Sequence, residues 1–240
     1  MRYATVFNAP HGANRSPLFS SSFSPYHDTV IDFRHIAVEG VPGAGKTGTA
    51  AALSKRIGAK LVLDVDENPF LPEFHADMES RSFQTQIFFL LSRYGLESEL
   101  RQPELFDAGI VTDYFFDRDA IYASLTLDEA EMTLYRSIFA LLGARRTLPD
   151  LVVFLQLSVA EARRRKPDIE PAFMKLLTDA YNDYFFAWSG TPLLVVQADH
   201  FSPASNDEDM EELVRAIEAQ GPVSRTVHLA AGGRIRQDKR

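Results

Sequence analysis

The sequence predicts an α/β fold, a doubly wound parallel sheet of five strands within a single domain. Three observations predict it. From "HIAVEG" onward, short apolar runs alternate with longer segments of helical periodicity, the pattern of a parallel sheet covered by helices. A glycine follows each helical segment closely, where the left-handed cap that glycine adopts cheaply would end it. The 240 residues, 45% of them hydrophobic, suffice to bury one substantial core.

The elements follow in order. Residues 1 to 34, rich in Ser, Pro, Asn and Gly, carry neither strand nor helix periodicity and are expected to form a disordered leader. Arg2 and Arg15, with no acid before Asp28, equally fit an organelle transit peptide. The first strand is expected at Ile36 to Val38, and a helix from Lys46 to Ile57 ended by Gly58. A second strand, Lys60 to Leu63, precedes a helix from Ser80 to Tyr94 ended by Gly95. The third strand, Ile110 to Thr112, leads to a helix from Asp128 to Leu142 ended by Gly143. The fourth, Leu151 to Leu157, starts behind Pro149 and leads to a helix from Pro171 to Trp188 ended by Gly190. The fifth, Leu193 to Val196, starts behind Pro192 and leads to a helix from Glu208 to Ala219 ended by Gly221. The domain is placed at residues 35–222, and residues 223–240, ending in the basic "GGRIRQDKR", are expected to be a frayed tail.

Composition excludes several function classes. A formal charge of −8 and a pI near 5.3 oppose a nucleic-acid surface, which needs basic residues against backbone phosphates. With no cysteine, disulfides, thiolate zinc sites and cysteine nucleophiles are ruled out. No apolar run approaches the roughly 18 to 20 residues that span a bilayer, so no membrane partner is expected. The expected location is the cytoplasm, or an organelle matrix if the leader is a transit peptide.

Between the first strand and its helix, "GVPGAGKT", Gly40 to Thr47, completes the pattern G-x-x-x-x-G-K-[ST], the P-loop. Gly40, Gly43, Ala44 and Gly45 form a loop whose N–H groups turn toward phosphates. Lys46 reaches the β- and γ-phosphates, Thr47 can ligate Mg²⁺, and the helix N-terminus favours negative charge. Gly48, in the first helical turn beside the phosphate site, costs on the order of 1 kcal/mol relative to alanine, which the run Ala50-Ala51-Ala52-Leu53 offsets. The motif alone leaves GTPase, ATPase, kinase and inert binder open, so the acceptor must be named by other residues.

Three segments, read in order with the loop, resemble the deoxynucleoside kinase family, particularly the bacterial deoxyadenosine and deoxyguanosine kinases: "DENPFLPEFHAD", "SFQTQIFFLLSRYG" and "VTDYFFDRDAIYA". "PDLVVFLQLS" and "LLTDAYNDYFF" extend the resemblance to about residues 36 to 200. It implies a P-loop fold of the nucleoside and nucleotide kinase type, ATP and Mg²⁺, a small nucleoside substrate and a homodimer. Gln84, whose amide donates and accepts at once, is implied to pair with the base. Phe83 and Phe115 are named for an apolar slot around the ring. Arg93 either reaches base or sugar or caps its helix. Asp113, at the carboxyl edge of the third strand, is implied to help hold Mg²⁺, and Asp119 to select the base beside Arg118, although Ala120 stands where the family carries an arginine. The general base belongs at the end of the second strand. Asp64, directly after "LVL", is the first choice ahead of Asp66 and Glu67.

Two departures bear on the acceptor. His75 stands where the family has a tyrosine that holds the sugar 3′-hydroxyl. The arginine-rich lid, "SVAEARRRKPDIEP", is shorter than in the family, with Glu170 as an imperfect stand-in for a further 3′-hydroxyl contact. Arg163, Arg164, Arg165 and Lys166 still cluster at a helix end, where Arg163 and Arg165 would clamp the transferring phosphate. "QADHFSPASNDED" resembles the loop that packs on the donor adenine. The expected function is ATP- and Mg²⁺-dependent 5′-phosphorylation of a purine deoxyribonucleoside in salvage. A kinase for a different small alcohol or modified nucleoside, and a non-catalytic nucleotide binder, are the alternatives.

Overall fold

A computed structural model describes residues 33–65, 67–100, 109–144, 146–220, 226–230 and 234–237, without the side chains of residues 75, 76, 78, 79, 98, 99 and 234–237. The expected leader thus lies outside the described residues as far as residue 32. The strands are β1 (His35–Glu39), β2 (Lys60–Val62), β3 (Ile110–Thr112), β4 (Leu151–Gln156), β5 (Leu193–Gln197), β6 (Thr226–Ala230) and β7 (Arg234–Gln237). They form one sheet in the order β2-β3-β1-β4-β5-β6-β7, with β7 antiparallel to β6 and every other pairing parallel.

The five expected strands are present within a residue or two of their predicted bounds, and two more extend the sheet to seven. The added pair arises from residues expected to be a frayed tail. In β6 only Val227 and Leu229 are buried while Thr226, His228 and Ala230 are partly exposed. Such an alternating strand lacks the continuous apolar run of a central parallel strand, such as β4, where five of six residues are buried.

Eight helices join the described strands: α1 (Lys46–Ile57), α2 (Leu71–Ala76), α3 (Met78–Leu100), α4 (Arg118–Thr126), α5 (Glu129–Gly143), α6 (Val159–Arg165), α7 (Pro171–Phe186) and α8 (Asp207–Gln220). Gly58 ends α1 as expected, at φ +71° with its N–H on the Ser54 carbonyl. Gly95 does not end α3. The helix continues because tertiary anchors lie beyond that glycine: Glu97 is 2% exposed and accepts the Thr147 N–H at 3.1 Å. Gly143 likewise remains helical as the last residue of α5, whose start is fixed by a capping box between Asp128 and Glu131.

Helices α1 and α8 pack together, with Arg56 donating to Glu211 at 2.7 Å. On β4, Phe154 stacks on Phe185 of α7 with ring centroids 4.4 Å apart, and α7 packs in turn on α4. Between α3, α4 and α5 a second cluster forms around Leu90, Phe116, Ala123 and Tyr135. These layers fix the carboxyl ends of β1, β2 and β3 side by side, the edge at which open α/β sheets bind ligands. Among the described residues no helix is long and apolar enough to cross a membrane.

Candidate active site

The phosphate loop leaves β1 and passes β4 at close range. A Cβ on Gly40 would stand 2.6 Å from the Leu155 carbonyl oxygen, so no side chain fits there. Gly45 takes φ +91° at the N-cap of α1 and leaves the first N–H groups of the helix to the ligand. Lys46 Nζ donates to the carbonyls of Gly40 at 2.7 Å and Val41 at 3.3 Å. Burial lowers its pKa to about 8, against the opposing charge of Glu39.

Asp113, one residue beyond β3, ties the loop to β2. Its Oδ2 accepts from Thr47 Oγ1 at 2.5 Å and its Oδ1 from the Asp64 N–H at 2.6 Å. A hydroxyl and a carboxylate oxygen in contact at a helix N-terminus suit Mg²⁺, which takes hard oxygen ligands, one or two carboxylates, and substrate phosphates. Among the described residues there is no group of three or more His, Cys, Asp and Glu that could hold a metal, and such a cage is not what Mg²⁺ needs.

Five charged side chains then alternate in sign away from the loop: Glu39, Arg118, Asp64, Arg93 and Asp119. Arg93 grips Asp64 twice, Nε on Oδ1 at 2.7 Å and Nη2 on Oδ2 at 2.8 Å, and its Nη1 donates to Asp119. Arg118 donates to Asp64 Oδ2 and places Nη1 3.6 Å from Glu39 Oε1. Burial pushes the Asp64 carboxyl up, but Arg118 and Arg93 outweigh it and hold the group well below the usual carboxylate range. Asp119 goes the other way: burial raises it to about 6 against the pull of Arg93 and Arg118.

Arg93, Arg118 and Asp119 line one side of a cavity of about 550 Å³. Pro42 of the phosphate loop, Phe74, Phe89 and Tyr122 contribute its apolar wall, and Asp168, Glu170 and Phe173 close it from the lid. Gln86 is 2% exposed, lines the cavity and donates to Thr126 Oγ1 at 3.2 Å. Gln84, the residue expected to pair with the base, is exposed and absent from the lining. On an α-helix residues two apart point to nearly opposite sides, whereas Gln86 stands seven residues before the buried Arg93, on its face.

The remaining sequence candidates distribute unevenly. Phe83 packs with Leu90 and Tyr135 in the second cluster, and Phe115 lies edge-on to Trp188, its centroid 5.1 Å away, within the main core. Neither lines the cavity, because each falls on a helix or loop face turned to another layer. Phe89 and Tyr122 supply the aromatic wall instead. Arg93 is no helix cap, since α3 continues to Leu100. His75 falls in α2 with its side chain outside the described residues, Asp66 lies outside them altogether, and Glu67 is exposed. Among the described candidates for the base, Asp64 is the one joined to the loop through Asp113 and to the cavity through two arginines.

In the lid, Arg165 is engaged by backbone. It donates to the carbonyls of Gly43 at 3.3 Å, Ala198 at 2.9 Å and Asp199 at 3.2 Å, and to Glu161 at 2.5 Å. Glu161 also holds Arg164, while Arg163 is exposed on α6 beside Pro167 and Pro171. Glu170 caps α7 by accepting the Phe173 N–H at 2.6 Å. The loop after β5 approaches α1 so closely that a Cβ on Gly48 would meet the Cβ of Ala204 at 2.9 Å, which gives that helix glycine its reason.

Known proteins resemble this chain. A deoxyguanosine kinase of Bacillus subtilis (strain 168) is 30% identical over 149 residues, covering 61% of this chain and 72% of that protein. A deoxyadenosine/deoxycytidine kinase of the same organism is 26% identical over 201 residues, covering 76% and 90%. The solved structure of a deoxyadenosine kinase from M. mycoides with bound dATP superposes with a TM-score of 0.65 at 23% identity, over 76% of this chain and 98% of that one, a likeness of fold. The family model described as deoxynucleoside kinase matches residues 36–220, from inside β1 to the last residue of α8. Since that span contains every element that builds the loop, the charge array and the cavity, the chain belongs to the deoxynucleoside kinase family.

Proposed function

We propose that the protein transfers the γ-phosphoryl group of ATP to the 5′-hydroxyl of a deoxyribonucleoside, deoxyadenosine or deoxyguanosine, in nucleotide salvage. The observation that carries this is the cavity of about 550 Å³, walled at one end by the phosphate loop and lined on one side by Gln86, Arg93 and Asp119. A purine needs an apolar slot with a few convergent polar groups, and this cavity supplies both. The names of the relatives support a purine acceptor.

The chain's own residues divide the work. Lys46 and the N–H groups of the loop bind the donor phosphates, and Arg163, exposed on α6, is free to meet the transferring group. Thr47 and Asp113 would hold Mg²⁺, which would offset the charge of the donor phosphates. Gln86 reads the base edge, between Phe89 and Tyr122. Asp64 accepts the hydrogen bond of the attacking hydroxyl. Its two oxygens accept three hydrogen bonds from the two arginines and one from the Val65 N–H, which fix its orientation. A carboxylate held so firmly ionised orients the hydroxyl and takes its proton late, as a loose transition state with little charge on the nucleophile allows.

A second acceptor class is favoured by the two lid carboxylates, Asp168 and Glu170, that line the cavity, which suit a modified nucleoside with extra donors. One panel tests all readings: ATP, Mg²⁺ and a range of nucleosides, with product followed by chromatography. Turnover of deoxyadenosine or deoxyguanosine supports the proposal. Turnover of a modified nucleoside alone supports the second reading, and donor binding without turnover of anything sinks both.

A further inference from the structure

One buried carboxylate has no part in the chemistry above. Glu39, the last residue of β1, is fully buried, and its oxygens accept from the Gly40 N–H at 2.9 Å, the Phe115 N–H at 3.1 Å and the Tyr181 hydroxyl at 3.2 Å. Three neutral donors would be met as well by any buried acceptor. What requires an anion is Arg118, whose Nη1 lies 3.6 Å from Glu39 Oε1 while its Nη2 donates to Asp64. An unpaired ion in such a place costs several kcal/mol, so a buried carboxylate is retained where it meets a cation. Arg118 in turn stands at the start of α4, where only its long side chain reaches back toward β1 and β2.

We infer that Glu39 is a positioning residue for phosphoryl transfer: it fixes the Arg118 guanidinium, which holds Asp64 facing the acceptor hydroxyl. The inference rests on the kinase reading for its consequence and on the three-residue geometry for its cause. Glu39 also meets the phosphate loop, through the Gly40 N–H and the charge of Lys46, and the inferred effect on turnover is the part that passes through Arg118.

A double-mutant cycle with Glu39→Gln and Arg118→Met tests it. Glu39→Gln is expected to lower kcat about 10- to 100-fold, the cost of a misplaced reacting group, with KM for ATP and for the nucleoside within about threefold of wild type. The double variant is expected to turn over within about threefold of Arg118→Met. Losses that multiply, or a change confined to KM, overturn the inference. Stability gives an independent arm, usable even if Glu39→Gln alone does not fold. Without Arg118 the carboxylate is an unpaired buried ion, so adding Glu39→Gln to Arg118→Met should leave the thermal midpoint unchanged or raise it. A fall, or a double variant that does not fold, shows that Glu39 serves the loop N–H groups instead and overturns the inference. If wild type phosphorylates no nucleoside, the proposed function fails while the stability arm still decides the role of Glu39.

Discussion

Arg93 meets Asp64 in a fork, two parallel N–H···O bonds of 2.7 and 2.8 Å between a side chain 2% exposed and a carboxylate 12% exposed. Such a pair is specific in direction as well as strong, because the planar guanidinium leaves the carboxylate no freedom to rotate. Asp64→Asn is therefore expected to lower kcat by about 10²- to 10⁴-fold, the usual range for a lost acid–base partner, and to destabilise the fold by about 3 kcal/mol because two buried guanidinium groups lose their anion. Arg93→Lys should lose most of the same stability, since an ammonium cannot make the fork. Steady-state kinetics and denaturant unfolding check both. Turnover of Asp64→Asn within a few-fold of wild type would remove Asp64 from the mechanism.

The glutamines of α3 separate base reading from surface. Gln86→Ala should cost about 1–3 kcal/mol in kcat/KM for the nucleoside, and Gln84→Ala less than twofold. Michaelis constants measured side by side decide the assignment, and the reverse ranking would return the base contact to Gln84.

Two lid arginines are expected to fail differently. Arg165 joins the phosphate loop to the strand end of β5 through three carbonyls, so Arg165→Ala should lower stability by about 2 kcal/mol and weaken ATP binding. Arg163→Ala should leave the melting temperature within about 1 °C, as exposed substitutions do, and lower kcat. Equal stability losses would contradict the division.

At Gly48, helix propensity alone predicts a gain of about 1 kcal/mol for alanine. The 2.9 Å approach to Ala204 predicts otherwise. Gly48→Ala should gain no stability and should raise the KM for ATP by displacing the loop after β5, and Ala204→Gly added to it should restore both. Thermal unfolding and donor titration read the outcome.

Stability should respond to acid through His35. Burial lowers its pKa from 6.5 to about 4, against the pull of Asp150. The folded protein keeps the ring neutral while the unfolded chain takes up a proton, so this stability is complete above pH 6.5 and is lost as pH falls through about 4. At about 1.4 kcal/mol per unit the loss reaches about 3 kcal/mol. Asp119, raised to about 6, has the opposite sign and adds stability as pH falls from 6 toward 3.8. Urea unfolding between pH 7 and 4 should show a shallow net slope for wild type. His35→Leu should turn it toward gain on acidification, and Asp119→Asn toward loss. Parallel curves for all three would refute the assignment.

The donor half of the site was legible in the sequence because a P-loop is a contiguous motif with its own strand and helix. Lys46, Thr47, Gly43 and Gly45 needed no tertiary information. Asp64 and Asp113 stood out by their places after strands, because strand ends converge on one edge, whereas Asp119, inside α4, stood out only through the family resemblance. The acceptor wall was less so. Gln86 and Gln84 differ by two positions in a helix so apolar that periodicity does not mark its buried face, and the spacing to Arg93 was the available signal. Phe83 and Phe115 are aromatic for packing, and type alone does not distinguish a core ring from a cavity ring. The stop expected at Gly95 failed because Glu97 anchors the helix beyond it. Glu39 was invisible as a functional residue, since its partners Phe115, Arg118 and Tyr181 come from the loop after β3, from α4 and from α7, far away in sequence.

The strand pair β6–β7 has a further consequence. Ending the sheet at β5, the last strand inside the family match, would leave the largely apolar strand Leu193–Gln197 with unpaired N–H and C=O groups, a template for pairing with another chain. β6 satisfies that edge, and β7, "RIRQ", moves the open edge to a strand carrying two arginines. Like charges on facing edges discourage sheet extension between molecules. A chain cut after residue 222 is therefore expected to aggregate before it loses its phosphate loop, with light scattering and donor binding as the two readouts.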